Sequence, residues 1–260
     1  METDGLRLDF VNDDLKLYQY RDGLTFGTDA LLLSAFVKGD PTAQAVEFGG
    51  GTGIVSLLLA VRRKVRTIHS IEAQSEYASL IGRNVALNGL SDRVFAVEAD
   101  LREIDAVPGA DYDLVVTNPP YLKNGAGFEC ASQKKNEARR EIRGGIADFC
   151  RAAGQKLKTG GRFVCVYLPE RLPDLFSAMR ESGIEAKRMT LVSADPSAPP
   201  SLVLVEGRRG GAQGLKITRP LFLYRDGRHV TPSVDMQYIL ASGDFPGGFG
   251  AEPKEKGAKR

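Results

Sequence analysis

Histidine and cysteine are scarce: His69 and His229 are the only histidines, and Cys130, Cys150 and Cys165 the only cysteines, among 260 residues. The cysteines form no CxxC pair and are odd in number, so neither a zinc site nor a disulfide framework is expected, and the thiols read as reduced. No apolar run approaches the roughly 18 residues of a membrane span. The opening METDGLRLDF lacks a positive segment followed by an apolar stretch. These absences predict a cytoplasmic protein with no membrane partner and no bound metal. The net charge of +2 is too small to imply a polyanionic partner by itself, so any such claim rests on where charge is placed. There are no internal repeats, which excludes repeat arrays. A hydrophobic content of 42% with 26% charged residues fits one globular α/β domain over 1–245, with 246–260 expected to be a flexible basic tail.

Five β-branched or aromatic runs read as strands: Ala45 to Phe48, Thr67 to Glu72, Val94 to Asp100, Tyr112 to Asn118 and Gly161 to Leu168. Helical patterns lie among them. Thr28 to Lys38 is expected to start on a Thr cap and stop at Gly39, Ser75 to Asn88 stops at Asn88-Gly89, and Ala147 to Leu157 and Glu170 to Ser182 follow. Alternating strands and helices imply parallel βαβ units, and a run as apolar as Asp113-Leu-Val-Val-Thr implies strands covered on both faces. The fold class is therefore α/β, a doubly wound, mostly parallel sheet. Glu185 to Ser193 and Ser201 to Glu206 are joined by a Pro-rich loop too short for a crossover, which predicts an antiparallel edge hairpin. The chain from Gly243 is rich in Gly and Lys and is expected to be mobile. Ligands of such sheets bind beyond the carboxyl ends of the strands, which is where Glu47, Glu72, Asp100 and Asn118 fall.

Between Ala45 and Ile54 the chain passes from a buried strand through Gly49-Gly-Gly-Thr-Gly53 into a helix. Glycines at 49, 51 and 53 let the backbone turn tightly and approach a ligand closely. As a mere connection, five small residues would cost needless chain entropy. The dinucleotide frame G-x-G-x-x-G fails here, because Ile54 or Thr52 occupies a required glycine position. The observed E-x-G-x-G-x-G, from Glu47 to Gly53, resembles motif I of the class I methyltransferases. That resemblance implies a Rossmann-like fold and a loop holding the methionine part of S-adenosylmethionine. Glu72, ending the second strand, is placed to accept hydrogen bonds from two ribose hydroxyls, since a carboxylate suits a vicinal diol. By the same resemblance Asp100, with Leu101 beside it, takes the amino group of the cofactor adenine.

Asp111-Tyr-Asp-Leu-Val-Val-Thr-Asn-Pro-Pro-Tyr121 is an apolar strand ending in the tetrad Asn118-Pro119-Pro120-Tyr121. Two consecutive prolines fix their own φ and push Asn118 and Pro119 into extended conformations, so side-chain and carbonyl directions are set in advance. An aromatic amino group is a weak nucleophile because its lone pair is delocalised. The Asn118 side-chain oxygen and the Pro119 carbonyl offer two acceptors for its N–H groups, and Tyr121 a ring to stack on a flat target. Those contacts strengthen as positive charge grows on nitrogen, and so favour the transition state.

The tetrad resembles the motif shared by amino-group methyltransferases acting on adenine or on the glutamine of translation release factors. Gly23-Leu-Thr-Phe-Gly-Thr-Asp-Ala-Leu-Leu-Leu33 resembles the cofactor-closing segment, within 1–40, of the bacterial valine-tRNA adenine-N6 methyltransferases, and brings Phe26, Thr28 and Asp29 to the cofactor. Asn136-Glu-Ala-Arg-Arg-Glu-Ile142 resembles that family's segment after the tetrad, with Arg140 where the family has His, and Leu215 to Tyr224 resembles its C-terminal hairpin. From Lys123 to Arg143 six basic residues face three acidic ones, and Gly207 to Arg219 holds four basic residues and no acid. Basic loops beside the catalytic edge suit phosphates, and Lys134, Lys135, Arg139, Arg140 and Arg143 are the expected tRNA contacts. The expectation is an S-adenosylmethionine-dependent tRNA adenine-N6 methyltransferase, leaving S-adenosylhomocysteine and acting next to the anticodon of a valine tRNA. A release-factor glutamine methyltransferase carries a helical N-terminal domain, whereas some 40 residues precede the first predicted strand here. A non-catalytic cofactor-binding protein would not require the tetrad. Neither histidine is needed, because the amino proton can leave to solvent.

Overall fold

The computed structural model describes residues 5–23, 25–121 and 144–249. The hairpin β1 (Leu6–Asn12) and β2 (Leu15–Tyr20) comes first, followed by α1 (Thr28–Phe36), β3 (Gln44–Phe48), α2 (Ile54–Val61), β4 (Thr67–Glu72), α3 (Ser75–Leu87) and β5 (Val94–Glu98). Then come β6 (Tyr112–Thr117), α4 (Ile146–Lys156), β7 (Leu157–Tyr167), α5 (Leu172–Glu181), β8 (Ile184–Ser193) and β9 (Pro200–Arg209). Two-residue strands β10 (Lys216–Ile217) and β11 (Leu221–Phe222) and the helix α6 (Val234–Ser242) complete the described chain.

The main sheet runs β10-β8-β9-β7-β6-β3-β4-β5, with β11 also on β8. It is parallel except at β9, which is antiparallel to both β7 and β8. Each central strand alternates its side chains between two cores. Leu114, Val116, Val164 and Val166 join the residues of α1 and α2, while Val115, Phe163 and Cys165 join those of α4 and α5. Burial on both faces explains why these strands read as continuous apolar runs. From β3 the chain steps outward to β4 and β5, then returns to β6 on the other side of β3. The carboxyl ends of β3 and β6 thus flank a crevice where strand order reverses, the place where such sheets bind ligands.

The expected antiparallel edge hairpin is formed by β8 and β9, with β9 next to β7 and the two-residue strands β10 and β11 on the outer side of β8. Other expectations differ from the structure. The stretch Leu215 to Tyr224 is no hairpin, since β10 and β11 each pair in parallel with β8. Helix α1 is capped at Gly27, and Thr28 makes no cap; the amide of Ala30 is met by Asp29 Oδ1 at 2.9 Å. It ends at Phe36 because Val37 turns extended and the buried ammonium of Lys64 takes the carbonyls of Ser34, Ala35 and Val37. Past Gly243 the chain is packed as far as Phe249, which is fully buried, with Arg219 over its ring at 4.1 Å and Arg188 donating to its carbonyl at 3.1 Å. Residues 250–260 lie outside the described part. Among the described residues, no helix is long and apolar enough to cross a membrane.

Candidate active site

Strand β3 delivers Glu47 to the crevice and passes through the glycine loop into α2. Gly49, Gly51 and Gly53 all have positive φ, 73°, 55° and 84°, which explains glycine at alternate positions. Gly50 is glycine for a different reason. A Cβ there would lie 2.3 Å from Ser70 Oγ and 2.8 Å from Ile81 Cδ1, so the loop must press against β4 and α3. The amides of Gly49 and Gly50 both donate to the Ile71 carbonyl at 3.0 Å, and that of Gly51 donates to Glu72 Oε2 at 2.9 Å.

The loop floors a cavity of about 620 Å³, whose walls are Gly23, Thr25, Phe26, Gly27, Asp29 and Ala30 on one side and Asn118 to Tyr121 with Leu168 on the other. The N-terminal hairpin holds the first wall. Buried Gln19 accepts from the Phe26 amide at 2.9 Å and donates to Asp9. Asn84 of α3 accepts from the Tyr18 amide at 2.7 Å and donates to the carbonyls of Tyr18 and Thr52, tying hairpin and glycine loop to one side chain.

The second wall is fixed from below and behind. Thr117 Oγ1 donates to the Phe48 carbonyl at 2.9 Å, locking the end of β6 to β3. Arg171, lying over the Tyr167 ring at 5.2 Å, donates to the Tyr121 carbonyl at 3.0 Å. The Asn118 amide donates through Nδ2 to Asp29 Oδ2 at 2.9 Å, and its Oδ1 accepts from the Tyr121 hydroxyl, which also lies 3.1 Å from Asp29 Oδ2. Burial and the Asp29 carboxylate push the Tyr121 phenol well above its usual range, so it stays protonated and a donor.

Glu47 is 2% exposed, and one of its carboxylate oxygens accepts from Ser56 Oγ, the Ser56 amide at 3.2 Å and Ser70 Oγ at 2.9 Å. Burial outweighs those bonds and raises its pKa to about 7. An acid with a pKa near neutrality at the cavity wall ionises readily when a cationic group comes beside it.

Of the residues singled out by sequence, Phe26, Asp29, Glu47, Gly49, Gly51 and the tetrad share this cavity. Thr28, Gly53, Glu72, Asp100 and Leu101 do not line it. Thr28 is exposed on the first turn of α1, and Gly53 caps α2. Glu72 is 8% exposed and sits beside the loop, its oxygens accepting from the amides of Gly51 and Gln74. The Asp100 carboxylate is paired with Arg102, and Leu101 is buried in the core. Lys134, Lys135, Arg139, Arg140 and Arg143 lie outside the described residues. Arg209 and Arg208 pair with Ile184 and Glu185 at the amino end of β8, so Gly207 to Arg209 lies at the end of the sheet opposite the tetrad, correcting its expected place beside the catalytic edge. Sequence reasoning missed Gln19, Asn84, Leu168 and Arg171. The Leu-x-Leu alternation of Leu15 to Leu17 signals the strand carrying Gln19; the partners of Asn84 and Arg171 are set only by tertiary packing. The described residues hold no group of His, Cys, Asp and Glu that could bind a metal.

Residues 20–180 match the family described as methyltransferase small domain. The chain is 29% identical over 180 residues to the tRNA1(Val) (adenine(37)-N6)-methyltransferase of Parabacteroides distasonis, covering 69% of this chain and 75% of that one. The Bacteroides fragilis protein of the same description is 29% identical over 181 residues, with the same coverage. Among solved structures, a predicted O-methyltransferase from Agrobacterium tumefaciens superposes with a TM-score of 0.67 at 22% identity, covering 84% of this chain and 98% of its own. TYW2 of M. jannaschii, solved with AdoMet, gives 0.55 at 16% identity, over 80% and 89%. Those structural likenesses bear on the fold, a class I methyltransferase fold.

Proposed function

The chain belongs to the methyltransferase small-domain family, and from that premise we propose that it is a cytoplasmic enzyme methylating the exocyclic N6 of an adenine in tRNA, next to the anticodon of a valine tRNA. The observation that carries the reading is that the glycine loop and the Asn118-Pro119-Pro120-Tyr121 tetrad wall one cavity. The names of the curated relatives supply the target.

The residues fit S-adenosylmethionine. The cavity volume of about 620 Å³ lies within the roughly 300–1,000 Å³ of small-molecule sites. At Gly51 a Cβ would meet no atom within 4 Å, so the loop presents open backbone there. Gly49, Gly51, Glu47, Phe26 and, beside the loop, Glu72 would hold the cofactor, with Glu47 suited to its ammonium. When bound, S-adenosylmethionine supplies a sulfonium methyl group as the electrophile and leaves as S-adenosylhomocysteine.

The protein's part is orientation and charge stabilisation. Asn118 Oδ1 and the Pro119 carbonyl accept the amino N–H groups and favour the pyramidal nitrogen that attacks. Tyr121 stacks on the base. An adenine in a stacked loop must turn out to reach this wall, which suits an anticodon loop. No histidine base serves: His69 bonds Tyr112 Oη and His229 bonds Asp195, and neither lines the cavity. The proton leaves to solvent after transfer. Mapping N6-methyladenosine in tRNA from cells with and without this gene tests the proposal. Loss of one such nucleoside from a valine tRNA supports it; an unchanged tRNA map refutes it.

A further inference from the structure

The target amino group needs Asn118 to present its oxygen, yet a primary amide has two ends of almost equal shape. If the amide turned over, Nδ2 would meet an amino group with a donor against a donor. Something must therefore fix which end faces the crevice. In this structure Nδ2 donates to Asp29 Oδ2 at 2.9 Å. A carboxylate accepts and never donates, so it can hold Nδ2 and cannot hold Oδ1. Asp29 is itself anchored, its other oxygen accepting from the Ala30 amide in the first turn of α1.

A second problem lies at Oδ1, which in this conformation accepts from the Tyr121 hydroxyl. The substrate amino group needs that acceptor. The same hydroxyl lies 3.1 Å from Asp29 Oδ2. It carries one proton and faces two acceptors, and its raised pKa keeps that proton in place. When an amino group claims Oδ1, the hydroxyl can pass its bond to Asp29, an exchange that leaves no buried donor orphaned.

We propose that Asp29 is a positioning residue of the methyl-transfer site: it orients the Asn118 amide with Oδ1 toward the target nitrogen, and it takes over the Tyr121 hydroxyl when the target binds. This rests on the amino-group methylation reading above. It differs from the cofactor contact that the sequence resemblance assigns to Asp29, and the two assignments make opposite predictions.

The test compares wild type with D29A and D29N in three measurements: methyl transfer to tRNA, S-adenosylmethionine affinity by calorimetry, and the side-chain amide resonances of Asn118 in asparagine-labelled protein, identified by their loss in N118D. For D29A, kcat should fall roughly 10²–10³-fold, the scale of removing one preorganised transition-state interaction. KM for tRNA and the cofactor Kd should stay within about threefold, because the lost interaction acts in the transition state. The Asn118 resonances should move toward those of a solvated amide. D29N should also lose kcat, because its amide no longer distinguishes the two ends of Asn118. A cofactor Kd weakened tenfold or more with kcat unchanged would make Asp29 a cofactor ligand and overturn the proposal. If wild type methylates no tRNA, the functional reading fails on its own, and the resonances decide for Asp29: unchanged amide shifts in D29A overturn its positioning role, and displaced shifts uphold the amide contact.

Discussion

Glu47→Gln is the substitution whose consequence is tied most directly to the structure. In the folded protein burial holds the Glu47 proton to about pH 7, while an ordinary glutamate releases it at 4.5. Between those values the folded state binds more protons than the unfolded one, so stability is greatest below pH 4.5 and falls as pH rises through 7. At about 1.4 kcal/mol per pKa step, full ionisation costs the fold about 3 kcal/mol. E47Q keeps an oxygen that can accept from Ser56 and Ser70 and removes the titration. Its melting temperature relative to wild type should therefore rise with pH, by roughly 5–10 °C between pH 5 and 8.5, at 2–4 °C per kcal/mol for a chain of this size. Reading the difference between the two proteins in parallel calorimetric scans cancels the other titrations. A difference that stays constant over that range would refute the argument that Glu47 is held protonated by burial.

The same geometry sets further outcomes. A cofactor ammonium beside Glu47 favours its ionised form, so S-adenosylmethionine affinity should rise with pH through about 7 in wild type and stay flat in E47Q; calorimetry at several pH values reads this. Gly50→Ala forces a Cβ against Ser70 and Ile81 and should cost about 1–3 kcal/mol in denaturant melts; an unaltered midpoint would show that the loop yields freely. From the charge of the stretch after the tetrad, Arg139→Glu with Arg143→Glu should weaken tRNA binding and flatten its salt dependence, by about one in the log–log slope for each phosphate no longer neutralised. Filter binding at two salt concentrations checks it, and equal slopes remove these arginines from the interface.

The sheet was legible because its strands are covered on both faces and so read as apolar runs, and because Glu47 and Asn118 sit where those runs stop. The glycine loop was legible through its alternate positive-φ positions. Other features depend on contacts between distant segments. The hairpin β1–β2 alternates as a strand should, but its tie to the helices of the main sheet is made by Asn84, some 66 residues from Tyr18. The end of α1 is decided by Lys64, 27 residues beyond Val37. Helix α6 carried local signals, with Ser233 capping the Met236 amide and Gly243 at φ 72° closing it, masked by the Gly- and Lys-rich composition of the C-terminal stretch after Gly243. Asp29 shows the limit most sharply: the sequence places it near a cofactor, and only the fold places it on Asn118, 89 residues away.

The proposed reaction is methyl transfer to an adenine amino group held by the tetrad. Its most direct test offers purified protein and labelled S-adenosylmethionine a mixture of unmodified valine tRNA and release factor, followed by nucleoside and peptide mass spectrometry, with Asn118→Ala in parallel. N6-methyladenosine is expected in the tRNA with wild type, a loss of at least about a hundredfold in N118A, and cofactor affinity unchanged by the substitution. Label on a release-factor glutamine, or near wild-type turnover in N118A, would contradict the proposed reaction.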